Sequence, residues 1–194
     1  MTPFSVLHVC VGNICRSPMA ERLFLLALGG HAGLVYSHSA GTGNWHRGEP
    51  MNPPAARQVL ARGGDVDGFG ARQLTVGHIE GSDLILTATH EQYDHVLNLS
   101  PTARGRTFVL GEFGRLLAAY AGELPDFTGD AESLYGRGVA LVTALDAARA
   151  GSRPVPGDDL ADPYGLDERT YARTADEIES TLRPLAGVLV GGSA

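Results

Sequence analysis

Cys10-Val11-Gly12-Asn13-Ile14-Cys15-Arg16-Ser17 stands between an apolar run, Phe4 to Val9, and a stretch of helical spacing that opens at Pro18. The run is the right length for a buried strand. Ser17 suits a helix N-cap and Pro18 the first helical position, and Met19, Leu23, Leu26 and Ala27 recur on one face as far as Leu28. Strand, loop and helix in that order open a parallel α/β sheet. Gly12 and Asn13 tolerate the left-handed backbone that a tight loop needs. A loop of this kind turns the N–H groups of Val11 to Cys15 into one concavity at a helix N-terminus, and such a concavity binds a tetrahedral oxyanion without a metal.

Two side chains add chemistry to that phosphate loop. Arg16, six positions after Cys10, can fold back and give a bidentate pair of hydrogen bonds to a phosphoryl group. The loop amides, the helix N-terminus, Arg16 and the Ser17 hydroxyl all favour the thiolate of Cys10, the form that attacks phosphorus. A zinc site does not fit two cysteines at this spacing, because no companion pair follows them.

Working outward, apolar runs predict further strands at Leu34–Ser39, Asp83–Thr87 and Thr107–Leu110. Asn52 followed by Pro53 marks a helix start, and helices are expected over about 91–98, 112–120, 131–149 and 167–189. Four strands alternating with helices predict a doubly wound α/β fold: a four-stranded parallel sheet flanked by helices on both faces. Its ligand site would lie beyond the carboxyl ends of the strands, where Cys10 sits. Residues 1–194 read as a single domain; Gly151–Leu160, rich in Pro and Gly, reads as a loop, and Gly191–Ala194 as a frayed end. A net charge of −7 offers no basic footprint for nucleic acid or anionic membrane. Two cysteines, no leader-like N-terminus and no long apolar run point to a cytoplasmic protein that makes no membrane contact.

Transfer of a phosphoryl group from an alcohol or phenol also needs a general acid. Asp162 precedes Pro163, which holds it extended, and follows a loop able to swing it over a pocket. Asp158 and Asp159 compete for that role, and on the residues alone Asp162 reads first as a turn aspartate.

The stretch CVGNICRSPMAE, Cys10 to Glu21, resembles the signature of the low-molecular-weight protein tyrosine phosphatases. The resemblance continues through Ser39-Ala40-Gly41-Thr42 with Trp45, Asp83-Leu84-Ile85-Leu86 and Asp162-Pro163-Tyr164. It weakens over 112–160, a region longer than is usual in the family that could place extra helix or loop near the site. Gly165 after Tyr164 is closer to bacterial members. The resemblance implies metal-free, cofactor-free hydrolysis of a phosphotyrosine protein or small aryl phosphate through phosphocysteine. Cys10 would be the nucleophile, Arg16 the phosphate clamp and Asp162 the acid. Phosphate, sulfate or vanadate would occupy the loop formed by Val11, Gly12, Asn13, Ile14, Cys15 and Ser17. The resemblance also pairs Asn13 with Ser39 as supports of the loop and makes Trp45 and Tyr164 candidate walls for an aromatic group. Cys15 is either a packing residue or a partner for a reversible disulfide with Cys10.

Rival readings are a phosphoarginine phosphatase, a phosphatase of another phosphate ester, an arsenate reductase and a non-catalytic phosphotyrosine-binding module. An apolar Ile14 at the pocket mouth favours a phenyl ring over a guanidinium. No cysteine follows Cys15 to serve a thiol relay, and nucleophile, arginine and acid are all present. The physiological substrate and the oligomeric state are not written in the sequence.

Overall fold

Phe4–Cys10 form strand β1, and every one of its residues is buried. A strand covered on both faces belongs inside a parallel sheet. β1 pairs in parallel with β2 (Val35–Gly41) on one side and with β3 (Leu84–Thr87) on the other. β4 (Thr107–Val109) adds to β3, so the computed structural model, which describes residues 3–191, has the order β2-β1-β3-β4.

The helices are α1 (Arg16–Leu28), α2 (Pro53–Ala61), α3 (Val76–Glu80), α4 (His90–Leu99), α5 (Leu110–Ala119), α6 (Ala131–Arg149) and α7 (Glu168–Leu189). The two-residue period of β1 sends alternate side chains to opposite faces. Phe4, Val6 and Cys10 join Met19 and Phe24 of α1, Phe113 of α5, Leu141 of α6 and Ile178 of α7 in one core. Leu7 and Val9 join Ile79 of α3 and Tyr93 and Val96 of α4 in the other. Helices therefore cover both faces of a single-domain sheet. Because α1 and α4 leave β1 and β3 toward opposite faces, a crevice opens between the carboxyl ends of these two strands. Cys10 closes β1 at that crevice.

Several sequence expectations need correction. α1 starts at Arg16, with Cys15 in the capping position and no side-chain cap, so Ser17 is not the N-cap and Pro18 is not the first helical residue. The Ser17 hydroxyl is turned instead toward the Cys10 sulfur. α2 does begin at Pro53, but Asn52 does not cap it with its side chain; its Oδ1 accepts from the Tyr171 hydroxyl at 3.0 Å. α3 was not foreseen, since five residues are too few to show a period. It is held by its own cap, in which Thr75 Oγ1 accepts from His78 N–H and His78 Nδ1 accepts from Thr75 N–H. Beyond Gly191, the expected fraying falls outside the described residues. Among the described residues, no helix is long and apolar enough to cross a membrane.

Candidate active site

The loop after β1 is closed by the segment between β2 and α2. Thr42 N–H donates to Cys10 O at 3.0 Å, Gly43 N–H to Val11 O at 3.0 Å, and Asn52 N–H to Ile14 O at 2.8 Å. This packing leaves no room at Gly41, where a Cβ would stand 2.5 Å from Val11 O. Of the two residues expected in the left-handed region, only Asn13 is there, with φ 54°. Gly12 serves another purpose: a Cβ on it would stand 3.1 Å from the His46 ring.

The Cys10 sulfur, itself buried, has two donors around it. Asn13 N–H points at Sγ from 3.3 Å, and Ser17 Oγ lies 3.0 Å away. Asn13 and Ser17 belong behind the loop rather than in the cavity in front of it. The Asn13 side chain donates through Nδ2 to Ser17 Oγ and to Ser39 Oγ, each at 2.9 Å, and its Oδ1 accepts from Arg72 N–H at 2.8 Å. Ser39 donates in turn to Glu21 Oε2 at 2.6 Å. Burial pushes the Glu21 carboxyl up from the usual range, against the Ser39 hydrogen bond and the charges of Arg22 and Arg72.

Arg16 is almost fully buried, and its guanidinium is fixed at one end. Nη1 donates to Leu160 O at 3.1 Å, and Leu160 N–H donates to Ala88 O, just past β3, at 2.8 Å. A single residue thus ties the late loop both to the strand end and to Arg16. Two residues on, Asp162 Oδ2 lies 2.9 Å from Nη2. Arg16 Nε is buried with no partner, which makes it a donor in need of an acceptor.

A cavity of about 200 Å³ opens in front of the loop, lined by Cys10, Val11, Gly12, Ile14, Cys15 and Arg16 at its base and by Trp45, His46, Asp162 and Tyr164 at its rim. Trp45 is 70% exposed and Tyr164 57%, so both stand out from the rim as free aromatic surface. No lining residue comes from 112–160; that region reaches the site through the Leu160 carbonyl. Asp158 and Asp159 are engaged elsewhere. Asp158 accepts bidentately from Arg115, and Asp159 accepts from the backbone and ring of His90. A larger cavity, about 300 Å³ between α5, α7 and residues 157–160, contains Asp158 and Asp159 but no cysteine.

Cys15 contributes to the base of the cavity, but its thiol is turned to Tyr171. Its thiol is 3.6 Å from the Tyr171 hydroxyl, and burial pushes it up to about 11, so it stays protonated at neutral pH. Both cysteines are free thiols. Among the described residues, no group of three or more His, Cys, Asp or Glu side chains could hold a metal ion. His46 and Glu21 are the members that sequence reasoning missed. His46 follows Trp45 in the chain and is held by Glu49 at 2.7 Å; Glu21 stands within α1, where a glutamate reads as a solvent-facing residue.

A family model described as low molecular weight phosphotyrosine protein phosphatase matches residues 5–146. The low molecular weight protein-tyrosine-phosphatase YfkJ of Bacillus subtilis is 43% identical over 90 residues, which are 45% of this chain and 57% of that protein. A low molecular weight protein-tyrosine-phosphatase of Streptomyces coelicolor is 36% identical over 119 residues, 60% of this chain and 69% of the relative. Among solved structures, Wzb of Vibrio vulnificus in complex with benzylphosphonate superposes with a TM-score of 0.67 at 22% identity, over 95% of this chain and 98% of that one. The arginine phosphatase YwlE of Geobacillus stearothermophilus gives 0.65 at 25% identity, over 95% and 91%. The likeness to Wzb is one of fold.

Proposed function

Since this chain belongs to the low-molecular-weight phosphotyrosine protein phosphatase family, we propose that it hydrolyses phosphotyrosine, or a small aryl phosphate, through a phosphocysteine on Cys10. The observation that carries this reading is the meeting, in one cavity, of a sulfur that receives hydrogen bonds and an arginine with an unused Nε–H.

A phosphate dianion entering the cavity offers acceptors to the loop amides and to the Nε–H and Nη2–H edge of Arg16. It takes Nη2 from Asp162, whose carboxyl is half exposed and keeps its Oδ1 bond to Tyr164 N–H while Oδ2 is released to the leaving oxygen. Cys10 Sγ attacks phosphorus as the ester P–O bond breaks, and Asp162, holding the proton that the Cys10 thiol gives up when the phosphate binds, passes it to the departing phenoxide. In the second step the oxygen of a water molecule bonds to phosphorus as the S–P bond breaks; Asp162 takes the proton of that water, and the thiolate leaves into the hydrogen bonds of Ser17 and Asn13. Trp45 and Tyr164 would grip the ring, and Ile14 would exclude polar groups. Phosphate, sulfate and vanadate would compete for the loop. The two free thiols suit a reducing, cytoplasmic setting.

The test is hydrolysis of p-nitrophenyl phosphate in the presence of a chelator by the wild type and by Cys10→Ser. Turnover is expected in the first and none in the second; dependence on added metal would contradict the reading. A panel of phosphotyrosine, phosphoarginine and phosphoserine peptides then decides the substrate class. Preference for phosphoarginine, the chemistry named for YwlE, would overturn the specificity and leave Cys10 and Arg16 in place.

A further inference from the structure

The buried hydrogen bonds behind the loop can each be given a direction. Arg72 N–H, a backbone donor, points at Asn13 Oδ1, and this fixes which end of the amide faces which way. The Nδ2 group therefore donates both of its protons, one to Ser17 Oγ and one to Ser39 Oγ. Each serine then has its own proton to place elsewhere. Ser17 sends it to Cys10 Sγ, and Ser39 sends it to Glu21 Oε2. Whether the Glu21 carboxyl is ionised or carries a proton on Oε1, its Oε2 keeps a lone pair for Ser39. Its other oxygen lies 3.3 Å from Arg22 Nε, an ion pair without hydrogen-bond geometry.

We propose that Glu21 is a positioning residue for Cys10: by accepting the Ser39 proton at the far end of this chain, it holds the Asn13 amide in the orientation that makes Ser17 a donor to the sulfur. The alternative arrangement is definite. With no acceptor at position 21, the buried Ser39 hydroxyl lacks a partner, and the nearest remedy is rotation of the Asn13 amide to bring Oδ1 toward the two serines. Ser17 then donates to Asn13 instead of to Cys10, and Arg72 N–H faces an NH₂ group. The thiolate loses a donor, both as nucleophile and as leaving group, while the loop amides and Arg16 keep their grip on phosphate.

This inference rests on the phosphatase reading for its kinetic arm only, and a second arm is independent of turnover. Glu21→Leu removes the acceptor, and Glu21→Gln restores one through the amide oxygen. In Glu21→Leu, kcat for an aryl phosphate should fall on the order of tenfold, the scale of one hydrogen bond to a charged group. The inhibition constant for inorganic phosphate should stay near the wild-type value. Alkylation of Cys10 by iodoacetamide at neutral pH, located by peptide mass spectrometry, should slow in Glu21→Leu. Glu21→Gln should recover most of both rates. Wild-type kcat and alkylation in Glu21→Leu would overturn the proposal. So would a Glu21→Gln protein as slow as Glu21→Leu, or a joint loss of kcat and phosphate affinity, which would mark general disruption of the loop. A wild type with no aryl phosphatase activity, but with the same alkylation pattern, would support the positioning role and remove the phosphatase reading alone.

Discussion

The two sides of the phosphate loop are built on opposite principles. In front, polar groups have capacity to spare: Arg16 Nε has no partner, Asp162 is half exposed, and Trp45 and Tyr164 project into open space. Behind, Asn13, Ser17, Ser39 and Glu21 are buried, and their side-chain hydrogen bonds join them into one chain. An open front can receive a dianion, and a saturated back keeps the receiving loop from relaxing before the dianion comes. Buried polar networks are stable only when complete, so damage behind the loop should cost folding energy as well as rate, whereas damage in front should cost chiefly rate, with a smaller loss of stability where Arg16 holds Leu160.

The largest effect is expected at the front. Arg16→Ala removes the clamp and should lower kcat/KM by on the order of 10³-fold or more, with steady-state kinetics as the check. Arg16→Lys should recover little of it, because an ammonium cannot present two parallel donors. Asp162→Asn should slow release of a poor leaving group by about 10²- to 10⁴-fold and have a smaller effect on an activated ester, while Asp158→Asn and Asp159→Asn leave that ratio unchanged. If Asp162→Asn treats both esters as the wild type does, the acid lies elsewhere.

At the back, Asn13→Ala leaves Arg72 N–H without its acceptor and both serines without a donor. A loss of about 1–3 kcal/mol in chemical denaturation is expected, along with a fall in kcat smaller than that of Arg16→Ala. An equal loss of stability in Arg16→Ala would erase the contrast between the two sides.

The smallest effect concerns two histidines on the sheet. Burial, then the charge of His38, pushes His8 down to about 3; burial, then the charges of His78 and Arg72, pushes His38 down to about 4. Both are neutral in the folded protein at pH 7, and in the unfolded chain both take protons below about 6.5. Their contribution to stability is therefore complete above that pH and declines as the medium becomes more acidic, by about 1.4 kcal/mol per pH unit for each histidine. His8→Phe should flatten the slope of unfolding free energy below pH 6, since Ser37 keeps its bond to the Glu21 carbonyl. An unchanged slope would show that His8 takes a proton without unfolding.

How much of this was legible in the sequence depends on distance along the chain. β1, the loop and α1 are contiguous, and a short apolar run, the Gly12-Asn13 pair and a helical period mark them, although only Asn13 of that pair takes the positive φ. Ser17 carries two signs in the sequence, that of a helix cap and that of a hydroxyl favouring the Cys10 thiolate; the fold keeps the contact with the sulfur and starts α1 one residue earlier, at Arg16. Asp162 could be named from its pattern, but its reach could not. That depends on Leu160, which is 144 positions from Arg16 and carries no mark in the sequence. His46 and Glu21 were hidden for the same reason, since their roles come from what folds against them.

The most direct test of the account is rapid-quench mass spectrometry of the protein mixed with an aryl phosphate. A phosphoryl adduct on the peptide holding Cys10, formed and lost at the rate of turnover, is the predicted result. Turnover with no adduct, or an adduct on any other side chain, would contradict it.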